Sequence, residues 1–263
     1  MPSPDLFTSI INQYLPEPHA SLLNGILFGI SLQTTRELYE QMKVVGLLHI
    51  VVLSGMNITI LASIIGLFTK NLPKFFSVFI VIVSIVLFIL FVGPKPPIIR
   101  AGLMGILSLL AIILGRKTIP LYILFVSFFI TLLFVPDWIS SISFQLSYAA
   151  TLGLILFANS KPGNGLLNRT IGPELRLSLS AQAFTAPLIF IYFRQISIIS
   201  PLANILVAWI IAPIMIFGFL ACILGSINFF LGIVPAYITY GLLSYMLSVI
   251  EILALIPFAS ISF

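Results

Sequence analysis

Charged side chains are scarce in this 263-residue chain. Lys, Arg, Asp and Glu together make up 7% of the residues, whereas 60% are hydrophobic. A soluble globular domain carries roughly a quarter charged residues, so 12 basic and 7 acidic side chains are too few to cover a water-facing surface. This composition excludes a cytosolic enzyme, a secreted module and a disordered chain. It predicts an all-α polytopic membrane protein.

Cysteine and histidine are almost absent as well. The single cysteine, Cys222, excludes an internal disulfide framework. Together with His19 and His49 it makes only three Cys or His residues, one fewer than the four ligands of a structural zinc site, and we expect no zinc hydrolase centre. The sequence contains neither a Gly-x-Ser-x-Gly elbow nor a Gly-rich phosphate loop. His49 and Ser54 are five residues apart, so on one helix they diverge by about 140° and make a poor base and nucleophile. We therefore expect no enzyme and no cofactor.

Eight apolar runs have about the length of a membrane span. They are Gly46–Phe68, Phe75–Val92, Ile98–Leu114, Ile119–Val135, Ile142–Phe157, Leu175–Phe193, Ile196–Ile227 and Leu231–Pro257. Pro201 and Pro213 lie in the seventh run and predict a kink or an interruption there. The pattern predicts a bundle of about 7–8 transmembrane helices, some of them broken.

Successive spans cross the membrane in opposite directions, so the loops between them fall alternately on its two faces. The basic residues divide unevenly between these two faces. One face collects Lys70, Lys74, Arg116, Lys117, Lys161, Arg169 and Arg176, and the other collects Lys95, Arg100 and Arg194. Cytoplasmic loops carry the excess of Lys and Arg, so the first face is predicted to be cytoplasmic. The N-terminus is then outside.

Residues 1–45 differ from the rest of the chain, which we take as one transmembrane domain over residues 46–263. Leu22–Ile30 is too short to cross a membrane, and Ser31–Lys43 carries four charged residues. This pattern predicts an N-terminal segment of amphipathic helices lying in the outer interface. A soluble cap packed on the bundle is the alternative.

Polar side chains within the spans are the candidate functional residues. A central Arg or Lys costs about 2.5–3.5 kcal/mol in the membrane on insertion scales, so such groups are expected to face the bundle interior or water. His49, Ser54 and Asn57 fall within one run, and Gly55 makes a local break plausible. We predict that they line a channel. Hydrogen bonds that only join helices are the alternative.

Further polar positions lie in later spans. Gln145, Ser147, Gln182 and Asn204 are predicted to line the same channel. Arg100 follows two prolines at the start of the third span. It is either an anchor that snorkels to the interface or, with Lys95 and Arg194, a cation at the outer mouth.

The ordered motifs resemble those of ComEC-type competence proteins. Gly46–Asn57 resembles the family's G-x-x-H-L-L-A-I-S-G-L-H signature, and Pro97–Met104 with Leu114–Arg116 resembles its arginine-containing span. Phe144–Tyr148 resembles F-Q-L-S-F, and Ala181–Pro187 with Ser200–Asn204 resembles its A-Q … P … S-P-L-A-N region. At position 57, where the family commonly has His, this chain has Asn, which weakens a proton or metal role at that position.

The resemblance implies a channel that passes single-stranded DNA through the bacterial inner membrane during natural transformation. Lys95, Arg100 and Arg194 would then contact phosphates at the outer mouth. The resemblance also implies three kinds of partner, which are membrane lipid, a cytosolic helicase-like ATPase and an outer DNA receptor. It leaves open whether the protein forms a homo-oligomer. We expect the oligonucleotide-binding and metallo-β-lactamase-like domains of many members to be missing.

A small-solute secondary transporter is the alternative function. Such proteins carry an acidic coupling residue near the midplane and inverted repeats. Glu251 is the one acidic residue inside a predicted span, and the sequence shows no convincing internal repeat. The DNA channel is therefore preferred.

Overall fold

The computed structural model describes residues 4–51, 55–157, 172–257 and 259–262. The chain divides into two compact units. The first unit comprises residues 1–53, 162–178 and 193–263, and the second comprises residues 54–161 and 179–192.

Helices make up nearly all of the regular structure in the described ranges. In chain order they are α1 (Asp5–Tyr14), α2 (His19–Phe28), α3 (Arg36–Val45), α4 (Leu48–Val51), α5 (Gly55–Phe68), α6 (Lys74–Val92), α7 (Pro96–Ile113), α8 (Pro120–Phe134), a 3₁₀ turn (Pro136–Ser140), α9 (Ile142–Phe157), α10 (Gly172–Phe193), α11 (Ser200–Ile227) and α12 (Phe229–Ala254). Two short strands, β1 (Gln195–Ser197) and β2 (Ser260–Ser262), complete the described elements.

Five of these helices are long and apolar enough to cross a membrane. They are Lys74–Val92, Pro96–Ile113, Leu175–Phe193 within α10, Ser200–Ile227 and Phe229–Ala254. Three shorter apolar helices, α5, α8 and α9, coincide with other predicted spans. The protein is therefore an all-α polytopic membrane protein, as predicted. The predicted interruption of the seventh run is wrong, because α11 is a single helix that continues through Pro213.

The core of the first unit is built on α11 and α12. One residue, Asn228, separates the two helices, and its side chain accepts a hydrogen bond from the Phe230 amide at 2.9 Å, which caps the start of α12. Ile210 on α11 and Leu243 on α12 are fully buried. Apolar side chains thus join the two helices along their length.

The N-terminal helices pack on the same pair of helices. The Tyr14 hydroxyl donates to the Phe229 carbonyl at 2.6 Å, and His19 Nε2 lies 2.9 Å from Ser244 Oγ. Every residue of α2 after His19 is buried. The expectation of an amphipathic interfacial helix is therefore wrong for α2, because neighbours cover it on all sides. The buried residues of α3 share one face, so this helix is amphipathic, and its position in the outer interface stays a prediction.

The ends of three elements of the first unit meet at Gly46. This residue has φ +78°, and a Cβ atom there would lie 2.8 Å from Ser200 Cβ and 3.1 Å from Ser197 Cβ. Only glycine suits both the left-handed backbone and the close approach. Ser197 also pairs with Ser260 in the antiparallel β1–β2 ribbon.

The second unit is arranged around α7. This helix contacts α5, α6, α8 and α9. Its glycine at position 102 lies against Ile85 and Ile89 of α6. Large apolar side chains such as Phe79 and Leu87 remain exposed on α6, which is the pattern of a helix facing lipid. Because α7 is central, a polar side chain on it faces neighbouring helices.

Candidate functional site

Arg100 on α7 packs against the first residue of α5. A Cβ atom on Gly55 would lie 2.7 Å from Arg100 Nη2 and 3.2 Å from Ala101 Cβ. The guanidinium therefore occupies the space that a side chain at position 55 would fill. It lies against α5 instead of snorkelling along α7 to the helix end.

The guanidinium of Arg100 has no carboxylate partner within the described ranges, where the one ion pair joins Lys43 and Glu40 at 3.9 Å. Its Nε atom is buried and makes no hydrogen bond to the described residues. The hydroxyl group of Tyr148 on α9 lies near the guanidinium. A half-buried arginine with an unbonded Nε–H group is suited to bind an anion.

Two further hydroxyl groups lie beside the hydroxyl group of Tyr148. Its Oη atom donates to Ser127 Oγ at 3.3 Å and lies 3.4 Å from Thr131 Oγ1. Both partners are on α8 and fully or almost fully buried. The Tyr148 ring packs on Phe144 with the ring centroids 4.4 Å apart. These contacts hold the tyrosine in a fixed position beside Arg100.

Gln145 lies one turn before Tyr148 on α9 and joins three elements of the second unit. Its Nε2 atom donates to the Ile139 carbonyl at 3.1 Å, and its Oε1 atom accepts from the Tyr192 hydroxyl at 2.8 Å. Ser147 lies about 200° around the same helix from Gln145. Gln145 and Ser147 therefore do not lie on the same face of α9.

Three further predicted residues belong to the second unit. Asn57 is 2% exposed on α5, and Gln182 is half-buried on α10. Each of them has an interaction partner. Lys95 is exposed directly before α7, where it occupies the N-cap position.

The remaining described candidates belong to the first unit. His49 is exposed on α4, with Nδ1 2.9 Å from the Gly46 carbonyl. Asn204 Nδ2 donates to Ser178 Oγ at 2.9 Å and so joins α11 to α10. Arg194 is exposed between α10 and β1, with φ +49°, a conformation uncommon outside glycine.

The structure brings together some of the predicted residues. Gly55 and Arg100 are in contact, whereas Gln145 and Ser147 lie on different faces of α9. Ser54 lies outside the described residues. Convergence of all the candidates on one channel stays a prediction.

Sequence reasoning missed the hydroxyl cluster and Tyr192. Ser127 and Thr131 are four residues apart in an apolar run, and this helical spacing is the signal that could have found them. Tyr192 carries no such signal, because a tyrosine near a helix end looks like an ordinary interfacial aromatic residue.

The site offers binding groups of a particular kind. Within the described ranges, no group of three or more His, Cys, Asp or Glu side chains is placed to hold a metal ion. A buried cation, amides and hydroxyls are the groups present, and they suit an anionic or polar ligand bound through hydrogen bonds.

Comparison with known proteins gives one family match and two relatives. Residues 26–263 match the family described as competence protein. ComE operon protein 3 of Bacillus subtilis (strain 168) is 25% identical over 202 residues, which is 75% of this chain and 25% of that protein. An uncharacterized protein of Aquifex aeolicus (strain VF5) is 30% identical over 171 residues, 65% of this chain and 38% of that protein.

The chain thus spans well under half the length of these relatives. No solved structure matches it.

Proposed function

This chain belongs to the competence protein family, and we propose that it passes single-stranded DNA through the bacterial inner membrane into the cytoplasm during natural transformation. Family membership supports a role in competence and DNA uptake. The multi-pass helical fold supports a membrane pathway. The observation that carries the proposal is the Arg100 guanidinium, which lies against Gly55 with a buried, unbonded Nε atom.

Arg100 contacts the DNA backbone in this proposal. A phosphate has acceptor oxygens that match the planar guanidinium fork in a bidentate manner. Sequence-tolerant binders of single strands use such positive charge together with stacking surfaces. Conduction also requires binding weak enough to release the strand. Arg100, beside the neutral Tyr148 hydroxyl, supplies the positive charge, and a single charge binds weakly enough to release the strand.

The channel has no catalytic activity of its own in this proposal, so force must come from a partner. A cytosolic helicase-like ATPase pulls the strand, and it contacts the basic loop at Arg116 and Lys117. An outer receptor delivers the DNA. The N-terminus and Lys95 are outside, and Lys70 and Lys74 are inside, in agreement with the excess of basic residues on that face.

Cysteine labelling tests the orientation. A single cysteine is introduced at Gln33, Lys95 or Asn71 in a Cys222→Ala background, and intact cells are treated with an impermeant maleimide. We expect labelling at positions 33 and 95 and protection at 71. Labelling at position 71 alone would reverse the orientation.

Gene deletion tests the function. In a competent strain that encodes this chain, fluorescent DNA is followed into the cytoplasm with and without the gene. We expect deletion to abolish cytoplasmic signal while DNA still binds at the cell surface, and the wild-type gene to restore entry. Unchanged entry after deletion would refute the channel.

The secondary transporter finds less support in the structure. Its coupling residue would be Glu251, which is exposed three residues before the end of α12. A carboxylate at a helix end is far from the midplane position that ion coupling requires.

A further inference from the structure

Four exposed basic residues lie at one end of the second unit. They are Lys70 in the turn after α5, Lys74 at the start of α6, and Arg116 and Lys117 directly after α7. We name these four residues the basic cluster. The Arg100 site lies near the opposite ends of α5 and α7, so the basic cluster is separate from the proposed DNA contact.

The contact between Gly55 and Arg100 shows that the two pairs of cations are level with each other. It joins the starts of α5 and α7, which pack side by side. Phe68 is 13 residues after Gly55, and Ile113 is 13 residues after Arg100. Each interval is about 20 Å of helix, and packed helices are about 8–10 Å apart. The turns that follow α5 and α7 are therefore neighbours.

Hydrogen bonds hold both turns. Thr69 Oγ1 lies 2.8 Å from Ser77 Oγ, which joins the end of α5 to α6. Gly115 has φ +65°, and the Arg116 amide donates to the Ala111 carbonyl at 2.9 Å, which closes the end of α7. The backbone that carries the cations is thus ordered before any ligand binds, which lowers the entropic cost of binding.

No acidic residue balances the charge of the basic cluster. The sequence contains no Asp or Glu between residues 41 and 136. Within the described ranges the one ion pair joins Lys43 and Glu40 of the first unit. Four like charges on neighbouring turns repel one another and create a positive potential that attracts anions. A ligand with more than one negative charge relieves this repulsion.

Large apolar side chains flank the same turns. Phe68 is 82% exposed and Leu114 is 70% exposed, and each of them directly precedes a pair of cations along the chain. Phe75, which follows Lys74, is exposed as well. A nucleic acid or a free phosphate would neutralise the cations but leave these apolar side chains uncovered. A phospholipid meets both needs, because its headgroup is anionic and its acyl chains are apolar.

We propose that the basic cluster binds an anionic phospholipid with two phosphate groups, as in cardiolipin. One phosphate lies at Lys70 and Lys74 and the other at Arg116 and Lys117, and the acyl chains cover Phe68 and its apolar neighbours. On the proposed orientation this lipid belongs to the cytoplasmic leaflet. Its headgroup lies beside the turns in the plane of the bilayer surface, so their cytoplasmic side stays available to the proposed ATPase.

Native mass spectrometry of the purified full chain in detergent tests the proposal. Cardiolipin is titrated against phosphatidylglycerol, which carries one phosphate, and we expect one cardiolipin to be retained in preference. Lys70→Gln and Arg116→Gln should each bind cardiolipin about fivefold more weakly, which corresponds to about 1 kcal/mol for one cation. The double variant should bind it about 25-fold more weakly.

Arg36→Gln is the matched control, because it changes the net charge equally and Arg36 is exposed at the start of α3 in the first unit. It should bind cardiolipin like the wild type. Lys70→Arg keeps the charge and should retain binding, which separates a loss of charge from a loss of fold.

Four outcomes would overturn the proposal. They are the absence of retained cardiolipin, equal retention of phosphatidylglycerol, an equal loss in Arg36→Gln, and displacement of cardiolipin by an equal concentration of pyrophosphate, which lacks acyl chains. Because no DNA is present, the result does not depend on the proposed channel function.

Discussion

Gly55 and Arg100 are so close that a methyl group on the glycine would lie 2.7 Å from Nη2 of the arginine. The nearest obstacle is the far end of a long side chain, which can rotate away, and not a backbone atom. The second obstacle is Ala101 Cβ at 3.2 Å, which a shift of a few tenths of an ångström relieves. A substitution at Gly55 therefore displaces mainly the guanidinium, with a small adjustment between α5 and α7. This separates the position of the charge from the stability of the fold.

Gly55→Ala should lower DNA uptake by about tenfold, equivalent to ~1.4 kcal/mol of lost phosphate binding, with normal protein levels in the membrane. Gly66→Ala is the control on the same helix, because a Cβ atom there would meet nothing within 4 Å. It should leave uptake unchanged and stabilise α5 by about 0.5–1 kcal/mol. Equal uptake by both variants would show that the guanidinium does not contact the DNA.

Arg100→Lys should lower uptake, and Arg100→Gln should nearly abolish it, because lysine keeps the charge but not the bidentate fork. The salt dependence of single-strand binding should also become shallower by about 0.7 in log–log slope, the value for one phosphate contact. Arg36→Lys, at the exposed start of α3, is the conservative control. Wild-type uptake by Arg100→Gln would make this residue an anchor.

Asn204 and Ser178 should be energetically coupled, since Nδ2 of one donates to Oγ of the other at 2.9 Å. We expect a double-mutant cycle with Asn204→Ala and Ser178→Ala to give a coupling of about 0.6 kcal/mol, the mean for hydrogen bonds between membrane helices. Reversible unfolding in mixed micelles measures it. Additive effects would show that the bond contributes nothing to stability.

The stability of the first unit should fall in mild acid because of His19. Burial lowers the pKa of this imidazole, and the nearby Glu17 carboxylate opposes the shift. A depressed folded pKa means that the unfolded chain binds the proton more tightly. The contribution of His19 to the free energy of unfolding is therefore complete above the unfolded pKa of about 6.5. It is lost as the pH falls through the folded pKa.

Unfolding midpoints measured between pH 8 and pH 5 check this expectation. His19→Gln should remove the step that begins near the unfolded pKa. The groups beside the imidazole are Tyr240, Ser244 and the Glu17 carboxylate. A step that persists in His19→Gln would assign the titration to another group.

Sequence reasoning succeeded where the signal was the length and apolarity of a run. The five longest helices and the helical character of the remaining predicted spans follow from that signal alone. It failed for α2, because a largely apolar segment of ten residues is as consistent with a buried core helix as with an interfacial one. Burial depends on partners such as Gly218, which approaches Leu23 from a distant part of the chain.

The residues of the candidate site could be predicted from the sequence, but most of the contacts between them could not. Arg100 was singled out because charge is costly in lipid. Its position against Gly55 depends on how α5 and α7 pack, which no local pattern encodes. Gln145 and Ser147 were grouped by their motif, although helical geometry places them on different faces. The partners of Gln145, Tyr192 and the Ile139 carbonyl, come from other elements.

The meeting of α3 with β1 constrains how many times the chain crosses the bilayer. Gly46, at the end of α3, lies against Ser197 of β1, so both elements are at the same membrane face and the crossings between them are even in number. Among the described residues of that interval, the helices long enough to span are α6, α7 and α10, which is an odd number. If the crossings lie in the described helices, one or all three of α5, α8 and α9 also cross, despite having fewer residues than a full span requires. The bilayer thins around such short crossings, or their polar ends are shielded by protein.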